Sequence, residues 1–354
     1  MAKELWKGNE AVAEAAIRAG CRYFFGYPIT PQNEIPEYFA RHMPEHDGVF
    51  VQAESEVAAV NMAYGASGCG ARVMTSSSSP GISLKQEGIS YIAGAELPVV
   101  IVNMMRGGPG LGSIAPAQAD YFQATRGGGN GDYRTVVLAP ATIQEMTDLT
   151  QEAFEIADLY RIPVLILADG MIGQMMEAVE WKKPKPRKLP KKDWATSGTK
   201  NARTHNIINS LFIDPKDCTE HNKKLQEKHD LIAQNEIQYE EYRTDDAEVL
   251  FVAYGTTARI CQAAVLKLRE AGVKAGVFRP ISLWPYPEQA LYACANRAGV
   301  KAVVCAEMSM GQMIDDVKIS LAGSKPVSFF GTGGGTFPTP VELMQAAQSA
   351  LKGV

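Results

Sequence analysis

The sequence predicts an α/β protein built from two parallel-sheet domains, and three observations carry that prediction. Short apolar runs of strand type alternate with helix-spaced segments from about residue 20 to residue 180. The alternation stops at a basic, proline-rich stretch and resumes at Ala247. With 354 residues, 46% hydrophobic and 21% charged, the chain is long enough to bury a core in each half. The boundaries that follow are a first domain over 1–180, a connector over 181–246 and a second, smaller domain over 247–354.

The elements can be justified in order. Ala11, Val12, Ala15, Ala16 and Ala19 recur at helical spacing and stop at Gly20, a natural left-handed cap. Tyr23-Phe-Phe-Gly-Tyr reads as a strand, and Pro28-Ile-Thr-Pro31 as an extended turn at its carboxyl end, where ligands bind in open α/β sheets. Gly48 to Gln52 is a second strand, Glu56 to Gly68 its helix and Ala71 to Ser76 a third strand. A serine turn, Ser76 to Gly81, leads into a helix through Ile89 and Tyr91; lacking the P-loop lysine, it is expected to be a solvated turn with a serine cap. Leu97 to Asn103 is apolar throughout, as strands inside parallel sheets are. A strand at Thr135–Ala139, a helix from Thr142 to Tyr160 and a strand at Ile162–Asp169 complete the domain.

Trp181 to Trp194 is too rich in proline for helix and is expected to lie extended on an acidic surface. Asp214 to Tyr242 carries Leu225, Leu231, Ile232 and Ile237 in a helical pattern that should pack on a neighbour. Strands then follow at Val249–Tyr254, Val273–Phe278, Ala302–Glu307 and Pro326–Phe330, with helices between them and a last helix from Pro340.

Composition excludes several classes of function. Lys plus Arg 35 against Asp plus Glu 39 gives a net charge of −4, with no global attraction to nucleic acid or anionic membrane. No run reaches the ~20 apolar residues of a membrane span, and the amino terminus lacks a signal-peptide core, so the chain reads as cytoplasmic. The six cysteines stand apart with no CxxC pair and read as buried thiols, unable to hold zinc or an iron–sulfur cluster. His205, His221 and His229 lack metal-ligand spacing and read as surface or capping residues.

Chemistry concentrates at the strand ends. Glu54 and Glu56 close one strand and open a helix rich in Ala and Gly. They are either ordinary first-turn acids or, in the case of Glu56, a dry carboxylate able to exchange a proton with a heteroaromatic ligand. Thr30 either caps the helix after Pro31 or offers its hydroxyl to a ligand. Arg106, at a strand end beside mobile glycines, is either a surface arginine or an anchor for a carboxylate. Gln118 and Asp120 are read as caps of a short helix around Tyr121. Gly110-x-Gly112-x-x-Ala115, with Asp132 about 20 residues on, loosely matches a dinucleotide fingerprint, but Pro116 interrupts the helix such a site needs.

Taken together, GYPITPQNEI, QAESEVAAVNMAYGA, MTSSSSPGISLKQEGISYIAGAELPVVIVNMMRGGP, FRPISLWPYP and AEMSMGQM resemble the alpha subunits of thiamine-diphosphate-dependent 2-oxoacid:ferredoxin oxidoreductases. The likeness covers nearly the whole chain. The closing Gly-Gly-Gly-Thr-Phe-Pro-Thr-Pro is most similar to the 2-oxoisovalerate type, with the 2-oxoglutarate type second. The resemblance implies a thiamine-diphosphate pyrimidine-binding domain followed by a transketolase C-terminal-like domain. It also implies CoA-dependent oxidative decarboxylation of a branched-chain 2-oxoacid with reduction of ferredoxin. In the family a glutamate hydrogen-bonds N1′ of the aminopyrimidine, and Glu56 stands at that position. A proton shared there promotes loss of the thiazolium C2 proton. Thr30 and Arg106 match contacts to the pyrimidine side and the substrate carboxylate, and Pro28 lines the cofactor. The chain has no Gly-Asp-Gly with a downstream Asn, and Ala168-Asp-Gly170 departs at its first residue. The resemblance therefore assigns the diphosphate and Mg2+ to a beta subunit, the iron–sulfur clusters to partners, and gamma and ferredoxin-like delta subunits to the same assembly. Coenzyme A has no site legible in the sequence. A non-catalytic scaffold that merely keeps the fold is the alternative from another class.

Overall fold

The computed structural model describes residues 3–184 and 186–353, so Lys185 of the basic stretch lies outside the described residues. The chain opens with β1 (Glu4–Lys7), α1 (Gly8–Arg18), β2 (Tyr23–Gly26), α2 (Glu34–His42) and β3 (Val49–Gln52). It continues through α3 (Glu56–Gly68), β4 (Val73–Ser77), α4 (Ser79–Gly94) and β5 (Val99–Met105). Next come α5 (Tyr121–Arg126), β6 (Val136–Leu138), α6 (Ile143–Tyr160), β7 (Val164–Asp169), α7 (Gly170–Gln174) and β8 (Met176–Val179). After the extended stretch follow α8 (Pro215–Asn235), β9 (Tyr239–Tyr242), β10 (Val249–Val252), α9 (Gly255–Glu270), β11 (Ala275–Pro280) and β12 (Ser282–Trp284). The chain closes with α10 (Glu288–Ala295), β13 (Ala302–Glu307), α11 (Met313–Leu321), β14 (Val327–Gly331) and α12 (Pro340–Lys352).

Two parallel-rich sheets result. The larger has the order β12-β6-β7-β5-β4-β2-β3, and the smaller β14-β13-β10-β11-β9. Strands β4, β5 and β7 are buried along their whole length, so their apolar runs face helices on both sides. The parallel strands β2 to β7 end on one edge, which brings Gly26, Gln52, Ser77, Met105 and Asp169 together. Among the described residues no helix is long and apolar enough to cross a membrane.

Both sheets carry an antiparallel strand that the sequence pattern did not suggest. Helix α8 stops at Asn235, and Tyr239–Tyr242, expected to continue it, pairs antiparallel with β11. Tertiary contacts decide this: Tyr239 stacks on Phe278 at 5.3 Å, and Glu240 meets Arg279 at 2.7 Å. Arg279 also holds Glu145 of α6 at 2.6 Å, tying the two sheets. Two residues after β11, the chain enters the first sheet as β12, pairing Ser282 with Leu138.

Helix α8 buries Leu225, His229 and Ile232, one stripe at helical spacing, and leaves Leu231 exposed; Ile237 lies beyond its end and is exposed too. His229 is thus a core residue, packed edge-on against Trp284 at 5.7 Å, and its burial pushes the imidazole down to about 4. Of the cysteines, Cys21, Cys261, Cys294 and Cys305 are buried, whereas Cys69 is exposed and Cys218 half-buried. Cys69 faces out because it follows the last turn of α3, beside Thr196 of the extended stretch. That stretch runs along α6: Arg187 pairs with Glu236 and Glu152, and Lys192 with Asp158.

Two lysines of α8 clamp Glu96, which follows α4 in the left-handed conformation. Burial pushes the Glu96 carboxyl up, but Lys228 and Lys224 more than offset it and hold it at about 2. Folded, the group binds fewer protons than the unfolded chain, where the carboxyl sits near 4.5. Its stabilisation is therefore complete above pH ~4.5 and is lost as pH falls toward ~2. Thermal unfolding of Glu96→Gln followed across pH should show a lower melting temperature at neutral pH and a weaker acid-side decline than the wild type.

Candidate active site at the carboxyl edge of the large sheet

Helix α3 starts where the sequence pattern places it. Ser55 at the cap position accepts a hydrogen bond from Ala58 N at 3.1 Å, and Glu56 is the first helical residue. Glu54 is exposed, but Glu56 is 6% exposed and lies against α4. The contact requires glycine. A Cβ at Gly81 would stand 2.6 Å from Glu56 Oε1 and 2.0 Å from Ser77 Oγ; one at Gly88, two turns on, would stand 2.5 Å from Val60. Among the described residues no donor hydrogen-bonds to the Glu56 carboxylate.

The serine turn is buried, contrary to the expectation of a solvated one. Ser76, Ser77 and Ser78 have no exposed surface and Ser79 is 8% exposed. The cause is tertiary pairing: Ser76 Oγ donates to Gln32 Oε1 at 2.5 Å, Ser79 N to Asn103 Oδ1 at 3.1 Å, and Ser79 Oγ to Asp120 Oδ2 at 2.6 Å. Ser78 occupies the cap position of α4 without making the capping bond, and the hydroxyls of Ser77 and Ser78 are buried without partners. Asp120 does not cap α5; it accepts from Ser79 and from Asn103 Nδ2, and burial pushes its carboxyl up.

Pro28 and Thr30 are exposed on the turn after β2. Thr30 caps nothing, because α2 begins only at Glu34, with Asn33 at the cap position. Arg106 follows β5 and is 8% exposed, so it is not a surface arginine. Its Nη1 donates to Thr30 O at 3.0 Å and its Nη2 to Leu111 O at 3.2 Å, while Nε is buried without a partner. The structure thus brings Thr30 and Arg106 together, with Glu56 on the other side of the α4 amino terminus.

The glycine loop is a tight turn closed by Ser113 N donating to Gly107 O at 2.8 Å, and the next helix starts only at Tyr121. No helix receives a pyrophosphate there, so the dinucleotide reading is set aside. The loop instead meets the second domain, with Ala115 against Gly335. Gln118, expected to cap α5, is fully buried and joins the two sheets: it donates to Tyr254 O at 2.9 Å and accepts from Thr257 Oγ1 at 2.6 Å and Met308 N at 3.1 Å. Asp169 accepts from Thr256 Oγ1 at 2.9 Å across the same junction. A cavity of about 580 Å³ opens here between Ser79, Asp120, Gly108, Met308 and Met310. Beside Thr30 and Arg106, a second cleft of about 450 Å³ is lined by Pro31, Ile114, Pro116, Met171, Gln174 and Met175.

Sequence reasoning also missed Lys85. It is fully buried on α4, in line with Ile82, Ile89 and Ile92. A lone lysine in such a stripe was the signal.

A buried acid at a helix start, a helix face of glycines and unpartnered hydroxyls thus lie together at the carboxyl edge of an α/β sheet. Residues 14–241 match the family described as pyruvate flavodoxin/ferredoxin oxidoreductase, thiamine diphosphate-binding, and residues 247–343 match pyruvate:ferredoxin oxidoreductase core domain II. The ketoisovalerate oxidoreductase subunit VorB of Methanothermobacter marburgensis is 49% identical over 95% of this chain and 94% of its own. The 2-oxoglutarate synthase subunit KorA of Archaeoglobus fulgidus is 40% identical over 94% and 96%. Among solved structures, the 2-oxoglutarate:ferredoxin oxidoreductase of Magnetococcus marinus, with 2-oxoglutarate, coenzyme A and succinyl-CoA bound, superimposes with a TM-score of 0.86 at 26% identity. That match covers 99% of this chain but 65% of the solved one. The chain belongs to the thiamine-diphosphate-binding pyruvate flavodoxin/ferredoxin oxidoreductase family. It is an oxidoreductase subunit that works with partner subunits.

The residues present fit the aminopyrimidine half of that cofactor, since the Ser77 and Ser78 hydroxyls are buried without partners beside Glu56, whose carboxylate accepts no hydrogen bond among the described residues. A methyl group at Gly81 would fill the place where the carboxylate lies. Gly81→Ala should therefore weaken thiamine diphosphate binding to the assembled complex at least tenfold by calorimetry, with an overpacking cost of about 1–3 kcal/mol in stability.

Proposed function

We propose that this chain supplies the aminopyrimidine and substrate-carboxylate half of the active site of a 2-oxoisovalerate:ferredoxin oxidoreductase. The observation that carries the reading is the buried Glu56, which has no donor among the described residues and is held against Gly81 at the carboxyl edge of the sheet. Glu56 is positioned to hold a proton at the aminopyrimidine N1′. Thr30 presents its hydroxyl on the exposed turn, and Arg106, whose Nε has no partner, supplies the charge that receives a carboxylate. Pro28 flanks the ring. Thiamine diphosphate, when bound, supplies the carbanion equivalent that attacks the 2-oxo carbon and accepts the electrons left when CO2 departs. The overall reaction would convert the 2-oxoacid and the thiol of coenzyme A to acyl-CoA, CO2 and a proton, with two electrons taken up by ferredoxin; this chain's part would be to hold the aminopyrimidine and the substrate carboxylate.

The break between the two matched ranges, 14–241 and 247–343, supports a division near residue 247; within the first range the reading keeps 1–180 as the domain and 181–246 as its connector. Among the described residues, no cluster of His, Cys, Asp and Glu has metal-binding geometry. A beta subunit holding the diphosphate and Mg2+, with gamma and ferredoxin-like delta subunits in a cytoplasmic assembly, completes the reading.

A branched-chain substrate is supported by chemistry as well as by relatives. The cleft beside Thr30 and Arg106 is lined by apolar groups and one neutral amide, Gln174. A branched aliphatic side chain would meet these apolar groups, whereas a second carboxylate would find no cation among them. The 2-oxoglutarate type remains the second reading because the relative from Archaeoglobus fulgidus is 40% identical.

The native assembly, assayed without oxygen with coenzyme A and a viologen dye, should reduce the dye fastest with 2-oxoisovalerate. Reduction with 2-oxoglutarate alone would reassign the substrate, and no reduction with any 2-oxoacid would favour a scaffold. Glu56→Gln should leave the complex assembled while lowering turnover by about 10²- to 10⁴-fold; near-normal turnover would overturn the role given to Glu56.

A further inference from the structure

Lys85 is fully buried, and nothing derived so far uses it. It stands midway between Gly81 and Gly88, on the face of α4 that crosses α3 against Glu56 and Val60. No carboxylate hydrogen-bonds to its ammonium. Nζ donates to Thr75 Oγ1 at 2.5 Å and to Ser76 O at 3.0 Å, both at the end of β4. From there a buried chain runs outward. Thr75 Oγ1 donates to Phe25 O at 2.6 Å, Ser76 Oγ to Gln32 Oε1 at 2.5 Å, and Gln32 Nε2 to Tyr27 O at 3.3 Å. Phe25, Tyr27 and Gln32 belong to β2 and to the turn that carries Pro28 and Thr30.

Resting on the function proposed above, we propose that Lys85 is a positioning residue with two arms: an internal counter-cation for Glu56, and the anchor of the buried chain that fixes the Thr30 turn. It touches neither cofactor nor substrate.

The groups around Lys85 make this specific. The α3 face contributes Glu56, the one charge that acts on it appreciably. The β4 end contributes Thr75 and Ser76, and the turn contributes Gln32, all neutral. Arg106 and Asp120 lie toward Ser79, at the far end of the first turn of α4. Burial pushes the Lys85 ammonium down to about 7, and the Glu56 carboxylate opposes that fall. A positive charge inside the site repels any further proton on the pair formed by Glu56 and the aminopyrimidine. Replacing Lys85 by an uncharged group of similar length removes that repulsion, so the pair should protonate at higher pH.

The test is a pH titration of the near-ultraviolet circular dichroism of the aminopyrimidine bound to the complete complex, without 2-oxoacid. Lys85→Met should raise the midpoint by about one pH unit, the effect of one partly screened neighbouring charge. Ser76→Ala cuts the link to Gln32 but keeps the charge. It should leave the midpoint in place and raise KM for the 2-oxoacid severalfold, with kcat little changed. A wild-type signal whose midpoint Lys85→Met leaves unmoved overturns the counter-cation arm, and an unchanged KM in Ser76→Ala overturns the anchoring arm. A wild-type complex that binds no thiamine diphosphate overturns the functional reading itself, and this inference with it.

Discussion

The close crossing of α3 and α4 is the constraint on which the rest of the site depends. Without side chains at Gly81 and Gly88 the helices approach until Glu56 is left only 6% exposed and Val60 fills the second gap. The same crossing buries the serine turn, because α4 can dock so deeply only if Ser76 to Ser79 go in with it. Side chains rather than water then satisfy their polar groups, apart from the hydroxyls of Ser77 and Ser78.

Much of the fold was legible because its signals are local. Apolar strands ending in polar residues, glycine after the first helix and small residues after Glu56 each specify their own neighbourhood. The position of Glu56 was legible for that reason, as was Arg106 at a strand end. What escaped is what distant residues decide. The serines look like a surface turn until Gln32 and Asp120 arrive from 44 and 41 residues away. Residues 239–242 look like the end of a helix until Phe278 and Arg279 offer a stack and an ion pair. Gln118 carries no pattern at all, and only the docking of the second sheet gives its amide three partners.

Electrostatics in the chain divides into two regimes. On the outside, Arg187, Lys192, Lys224 and Lys228 fasten connector segments to acidic helices by direct pairs. At the active edge, charges are held apart: Glu56 and Lys85 make no ion pair, and Arg106 spends its Nη donors on backbone carbonyls. Groups left unsaturated in this way retain the capacity to respond to a ligand, at the expense of local stability.

The passage of the chain from β11 into β12 has a consequence for how the enzyme opens. One continuous segment belongs to both sheets within two residues, and Arg279, Gln118 and Thr256 cross the same seam. A hinge needs a few residues free to rotate, and this seam has none to offer. The second sheet is thereby fixed against the first, and the cavity between Ser79 and Met308 keeps its walls without a hinge inside the chain.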